Sequence, residues 1–385
     1  MTKFFNYHDL TWPEVKALPR NTPLIIPLGE RQSDTFIAQH LSAPPLLGWL
    51  PEIPYGWASS CLAVPGNLLA NYINNLLDSL HEDGFVNVYA GMPAGTDLGL
   101  GSAELIFPIT TPQQNKLVKP LLSLEDLDKV VVIPIGHTEQ HGFHLPLSTD
   151  TTIIAAIAEG IAQFAPDLAA SLPAFPYGVS THRRSFAGTL NAGGRAFEEF
   201  WLEVIQTLVT RGFTKFYFIS GHGGNCSFLV NVVKYAGERH PRIFCATAWL
   251  YLSGPSGIQS INDLRDSALG GMGHAGELET SLIQHLTPEL VRMQLVVDET
   301  NFICTPSYLM DWVEGGPLIA NPSWDDDTVT GAYGAGSLGT EEKGKLWLQA
   351  AIEEKIGHVR EIHEQHERRE ARRNAGYGLW GEIKK

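Results

Sequence analysis

At 385 residues, 44% hydrophobic and 18% charged, the chain has ample apolar material for one or two globular domains and lacks the bias of a disordered segment. A formal net charge of −15 sets a repulsive field against any phosphate backbone, and no uninterrupted apolar run approaches the ~18 residues of a membrane span. With no basic-then-apolar leader at Met1, the expectation is a cytoplasmic protein acting on small molecules, without nucleic-acid or membrane partners.

In chain order, the first 118 residues read as a shortened echo of the remainder of the chain. Leu24-Ile-Ile-Pro27-Leu-Gly29 matches Val132-Ile-Pro134-Ile-Gly136, and Leu50-Pro-Glu-Ile-Pro54-Tyr55-Gly56 matches Leu172-Pro-Ala-Phe-Pro176-Tyr177-Gly178. Pro65-Gly66-Asn67-Leu68 stands in the place of Ala187-Gly188-Thr189-Leu190, and the Gly84-Phe85 to Gly91 stretch in that of Gly212-Phe213 to Gly221. The first copy is shorter, with 27 positions from Gly29 to Gly56 against 42 from Gly136 to Gly178. It places Gln32, Asp34 and Met92 opposite Glu139, His141 and His222 and so lacks a comparable ligand set. Residues 1–118 are therefore expected to form a non-catalytic module and 119–385 the catalytic domain.

In the second copy strand and helix signals alternate. Lys129 to Ile135 is a Val/Ile run suited to a strand buried on both faces, and Thr151 to Ala162 has helical apolar spacing. Gly194 to Arg211 presents Phe197, Phe200, Trp201, Val204, Ile205 and Leu208 on one helical face. Phe216 to Ser220 and Ile243 to Leu250 are further predicted strands, with a helix over Asn225 to Glu238 between them. The alternation predicts a layered α/β/α domain with a mostly parallel sheet, preceded by a smaller related module. In the Gly/Pro-rich stretch beyond, Trp312 and Asp325 to Asp327 read as an acidic loop with a packed tryptophan. The charges from Glu364 to Arg373 alternate in sign and read as a solvated helix face.

Three segments carry chemistry. The buried strand at Ile135 runs into Gly136-His-Thr-Glu139-Gln-His141 and on to Asp150; Ser220-Gly-His222-Gly-Gly-Asn225 follows another strand; His274-Ala-Gly-Glu277-Leu-Glu279-Thr280 opens a helix. Glu139, His141, Asp150, His222 and one of Glu277 or Glu279 form a nitrogen-and-oxygen donor set suited to Zn(II), Mn(II) or Fe(II). Glu277 and Glu279 lie roughly 200° apart on a helix, so only one can face the site. Cys61, Cys226, Cys245 and Cys304 form no Cys-x-x-Cys pair, which argues against a disulfide framework or a thiolate zinc site; Cys226 reads as a buried filler.

The order and character of these segments resemble the creatininase family, whose members form dinuclear metal sites. The resemblance implies that Glu139 and His222 hold one ion, His141 the other, and Asp150 bridges them. Creatininase has Tyr-Glu where this chain has Gly223-Gly224, so the remaining carboxylate is assigned to Glu279, at the acidic position of the family's His-Ala/Gly-Gly-x-x-Glu-Thr segment, leaving Glu277 as a solvated helix residue. Gly270 and Gly271 replace an aromatic residue and an acid that precede the family's active-site His, so creatinine is not the expected substrate. Members with Gly-His-Gly-Gly-Asn cleave formamides, process a peptide or open oxidised cyclitols.

The expected enzyme is a hydrolase of an amide or cyclic amide C–N bond, with two divalent ions acidifying a water and polarising the carbonyl. His274 and Asp150 are its catalytic residues, His274 protonating the leaving nitrogen. Ser180, His182, Arg183, Gly223 and His274 are expected to bind substrate. C–C hydrolysis of a cyclic ketone or oxidised sugar, and a metal-stabilised scaffold without catalysis, are the alternatives. The family's subunit rings imply a homo-oligomer, a trimer of two-module chains or a hexamer.

Overall fold

A computed structural model describes residues 1–107, 121–181, 185–313 and 315–375. The expected module boundary near 118 and the substrate candidates His182 and Arg183 lie outside them. The strands are β1 (Lys3–Asn6), β2 (Leu24–Pro27), β3 (Leu46–Trp49), β4 (Val88–Pro93), β5 (Glu104–Phe107), β6 (Val130–Ile135), β7 (Ala169–Ser171), β8 (Lys215–Ser220) and β9 (Phe244–Thr247). The helices are α1 (Trp12–Ala17), α2 (Asp34–His40), α3 (Gly66–Glu82), α4 (Thr149–Phe164), α5 (Gly194–Thr210), α6 (Gly223–Arg239), α7 (Pro255–Leu264), α8 (Glu277–Leu286) and α9 (Glu341–Asn374). None is long and apolar enough to cross a membrane among the described residues.

Two all-parallel sheets result, one ordered β1-β3-β2-β4-β5 and the other β7-β6-β8-β9. β6 and β8 are buried at every residue, which is why their sequences run apolar without alternation. From β6 the chain passes to β7 on one side and later returns as β8 on the other, so the crevice beyond the carboxyl ends of β6 and β8 is the topological switch point where α/β sheets bind ligands. Two glycines let α4 approach that crevice: a Cβ on Gly136 would stand 2.4 Å from the Thr151 Cα, and one on Gly221 would stand 2.2 Å from the Asp150 carbonyl oxygen.

Residues before 107 and after 121 share one aromatic core. Tyr72 of α3 packs on Phe200 of α5 and on Phe175, and Tyr55 packs against Phe175 and Trp201. The Tyr72 hydroxyl donates to the Tyr177 carbonyl (2.9 Å) and the Tyr177 hydroxyl to the Pro51 carbonyl (2.6 Å), two buried hydrogen bonds across the seam. Asn75 Nδ2 adds a bond to the Ala192 carbonyl at 2.6 Å.

The sheet register corrects one sequence alignment. Pro27 pairs with Gly91 and Pro134 with Ile219, so counting on from these pairs places Ala94, not Met92, at the position of His222. Equivalence of Gly91 with Gly221 requires a two-residue gap that the strands do not contain. The predicted strand to Leu250 stops at Thr247. Glu364 to Arg373 lies on α9, with Arg368 paired to Glu364 at the surface as expected.

Candidate metal centre

Four loops meet in the crevice. The segment after β6 brings His137, Glu139 and His141, the first turn of α4 brings Asp150, the residue before α6 is His222, the loop into α8 brings His274, and the first turn of α8 brings Glu279. All seven are buried, and overlapping triplets of their ligand atoms lie within 4.8 Å of one another. Asp150 divides its carboxylate: Oδ1 is 3.1 Å from His141 Nε2, and Oδ2 is 3.3 Å from His222 Nδ1. Glu139 Oε1 is 3.0 Å from His222 Nδ1, and Glu279 Oε2 is 3.7 Å from His141 Nε2.

Hydrogen bonds on the far side of each ring fix which nitrogen faces these oxygens. His222 Nε2 donates to the Val179 carbonyl (2.9 Å), and His141 Nδ1 donates to the carbonyl of Glu139 (3.1 Å). In both neutral rings the inward nitrogen therefore carries a lone pair. A lone pair 3.0 Å from a carboxylate oxygen is repulsive unless a cation lies between them. A proton meets that need in part: burial works to lower both imidazoles, but Asp150 and Glu279 hold His141 well above its ordinary range, and Glu139 and Asp150 raise His222 to about 9. Divalent ions satisfy the same geometry with the donor chemistry they prefer, and a backbone carbonyl behind a ligating imidazole is the usual support for such a site. The residues fit a metal centre.

His137, which carries no motif signal in the sequence, has the opposite polarity. Its Nδ1 accepts the Gly178 N–H at 2.9 Å, so the neutral ring carries its proton on Nε2, 3.9 Å from Glu139 Oε2. It faces the cluster as a donor, with its ring against that of His222 at 4.4 Å. His274 Nε2 donates to the Gln140 carbonyl (2.7 Å), and its Nδ1 lies 3.7 Å from Glu139 Oε1. Trp324 packs edge to face on the His274 ring at 5.1 Å.

Glu279 also accepts the Ala275 N–H at 2.7 Å, a residue at φ 54° in the sparsely populated left-handed region. Glu277 does not face the cluster, but it is not solvated either. It is buried, takes the backbone N–H groups of Asp266 and Ser267, and pairs with Lys343 Nζ at 2.6 Å. Gly224 has no room for the carboxylate that creatininase carries at that place, because a Cβ would stand 2.4 Å from both His222 Nε2 and the Val179 carbonyl.

Ser180 is buried beside Val179, its Oγ without a hydrogen-bond partner among the described residues. Gly223 begins α6 under the ring edge of Trp249. Burial raises the Cys226 thiol to about 11, which makes it inert filler. Trp312 packs on Tyr251, whereas Asp327 accepts from the Ile303 N–H and the Tyr333 hydroxyl, so the acidic loop is tied to the segments around it. His137, Trp249 and Trp324 escape sequence reasoning because no local spacing marks them.

A parallel α/β domain with a buried carboxylate and imidazole cluster at its switch point defines a class of metal-dependent hydrolase folds. Residues 121–358 match the family model described as creatininase, creatinine amidohydrolase, and the chain belongs to that family of metal-dependent enzymes. The mycofactocin precursor peptide peptidase of Mycobacterium ulcerans (strain Agy99) is 33% identical over 172 residues, 42% of this chain. The chain spans 60% of that relative's length. The creatinine amidohydrolase of Pseudomonas putida is 26% identical over 254 residues, covering 61% of this chain and 90% of that one. The 3-dehydro-scyllo-inosose hydrolase of Thermotoga maritima (strain MSB8) is 26% identical over 61% of this chain and 78% of its own. Among solved structures, a mutant creatininase complexed with creatine superposes with a TM-score of 0.53 at 23% identity over 63% of this chain and 96% of that one, which supports the fold.

Proposed function

We propose that the chain is a two-metal hydrolase that cleaves an amide or cyclic amide C–N bond of a small polar molecule other than creatinine. The observation that carries the reading is the divided carboxylate of Asp150, whose two oxygens face different imidazoles. Glu139, His222 and one Asp150 oxygen would hold one Zn, Mn or Fe ion; His141, Glu279 and the other oxygen would hold a second. Bound there, such ions acidify a water toward neutral pKa and polarise a scissile carbonyl.

The chain's own groups do the rest. The Nε2–H bond to the Gln140 carbonyl keeps the His274 ring from turning, so Nδ1 is the atom that would take a proton from the attacking water and pass it to the departing nitrogen. The Nε2–H of His137 turns a positive dipole toward the outer oxygen of Glu139, 3.9 Å away. Ser180 Oγ and the start of α6 at Gly223 flank the cluster and, with His182 and Arg183, would orient the substrate. The packed Trp324 excludes water from behind His274.

A second reading, C–C hydrolysis of a cyclic ketone or oxidised cyclitol, draws support from the similarity to the inosose hydrolase. Residues 1–118 are proposed as a fold-related, non-catalytic copy of 119–385, supported by the strand order β3-β2-β4-β5 against β7-β6-β8-β9. A homo-oligomer, in particular a trimer, is proposed with it.

The test is metal analysis of the purified chain with a screen of amides, lactams and cyclic ketones. About two ions per chain and release of an amine support amide hydrolysis. Turnover without amine selects the C–C reading. A chain that takes up no ion is the scaffold alternative and overturns the proposal.

A further inference from the structure

One side chain of the N-terminal stretch reaches three catalytic segments at once. Trp12, at the first position of α1, is 8% exposed and touches three separate active-site segments. Its ring packs on Phe143, two residues past His141, at 5.3 Å. It also packs on Phe186, in the segment that follows Ser180, at 5.5 Å. Its indole Nε1 donates to the Thr330 carbonyl at 2.8 Å.

Each contact leads on to the cluster. Gly331, next to Thr330, accepts from Gln140 Nε2 at 2.8 Å, and Gln140 Oε1 accepts the Gly142 N–H at 3.0 Å. The backbone carbonyl of the same Gln140 anchors His274. Beside Trp12, the Leu10 and His8 carbonyls accept the N–H groups of Leu147 and Ser148 at 2.9 and 3.0 Å, which fixes the chain between His141 and Asp150.

On the reading of this cluster as a metal centre, we infer that Trp12 is a positioning residue through which the otherwise non-catalytic module holds the His141, Phe186 and Gly331 segments in register with one another. The three segments belong to different loops of the catalytic half. A group that contacts all three restricts their relative movement in a way that no one loop can supply for itself.

The experiment compares Trp12→Ala, Trp12→Phe and Asn75→Ala in the full chain by amide hydrogen exchange and by Mn(II) titration. Trp12→Ala is expected to speed exchange at least ~10-fold in 141–148, 185–190 and 328–333, leave β6 and β8 protected, and weaken Mn(II) binding by about 10–100-fold, the range of a lost outer-sphere support. Trp12→Phe keeps the ring and loses the indole donor, so exchange rises at 328–333 alone. Asn75→Ala removes a seam bond to Ala192, just past the 185–190 segment, so any loosening is confined there and 141–148 and 328–333 stay protected. Unchanged exchange in the three segments of Trp12→Ala, or equal loosening in Asn75→Ala, overturns the inference; should Trp12→Ala fail to fold, the selective response of Trp12→Phe decides it. Exchange needs no turnover, so a chain that proves not to be a hydrolase still answers this test.

Discussion

Behind β6 and β8 come three imidazoles and a carboxylate, whereas behind β2 and β4, at the same register, come Gln32, Asp34 and Ala94. Asp34 caps nothing catalytic: it opens α2 and accepts from Trp49 Nε1 at 3.1 Å, while Trp57 packs over Gly29. Leu28 bridges Ile53 and Ile135 bridges Phe175, both in parallel, so on the proposed copy relation the backbone frame would persist where the ligands do not. Strand order supplies the location of a site, and the loops past the strand ends supply its chemistry.

The sharpest break in this comparison is made by His222→Ala. It should lose metal affinity by more than the ~10–100-fold typical of outer partners, together with any turnover, as read by elemental analysis and assay. Next in size is Glu277→Gln, which leaves Lys343 with the exposed Asp266 as its carboxylate partner and is expected to cost about 2 kcal/mol in urea unfolding with metal content intact. Equal metal loss in Glu277→Gln and Glu279→Gln would remove the distinction between the two acids.

Smaller is Asp83→Asn at the seam. Burial raises the Asp83 carboxyl to about 6, although its Oδ2 accepts the Gly188 N–H and Arg20 lies near. A raised acid contributes stability that is full below the unfolded value near ~4 and is lost as pH rises through about 6. The asparagine keeps an acceptor for Gly188, so the variant should match the wild type near pH ~4 and exceed it by about 1–2 kcal/mol near pH ~7. Parallel stability curves across that window would refute the assignment. Smallest of all, Ala94→His should add no metal to the chain, since Gln32 and Asp34 offer no matching set.

Much of the site is legible in the sequence. The apolar run into β6, the Glu139-x-His141 spacing, and the position of Glu279 two residues past Glu277 are all local signals. Glu277 reads wrongly as solvated because its burial depends on Lys343, which lies on another helix. The Met92 alignment fails because a glycine match outweighs the unbroken spacing from Gly84 through Tyr89 that the strand register obeys. His137 and Trp12 are invisible for a common reason: their partners, Gly178 and Thr330, are set by tertiary packing and leave no pattern nearby.

The aromatic seam has a thermodynamic consequence. Tyr55, Tyr72, Phe175, Phe200 and Trp201 form one continuous core that draws residues from both halves of the chain. Neither half can melt without baring the other's rings, so heat should unfold the molecule in a single cooperative transition. The catalytic half severed from its partner would present a large apolar face to water and aggregate.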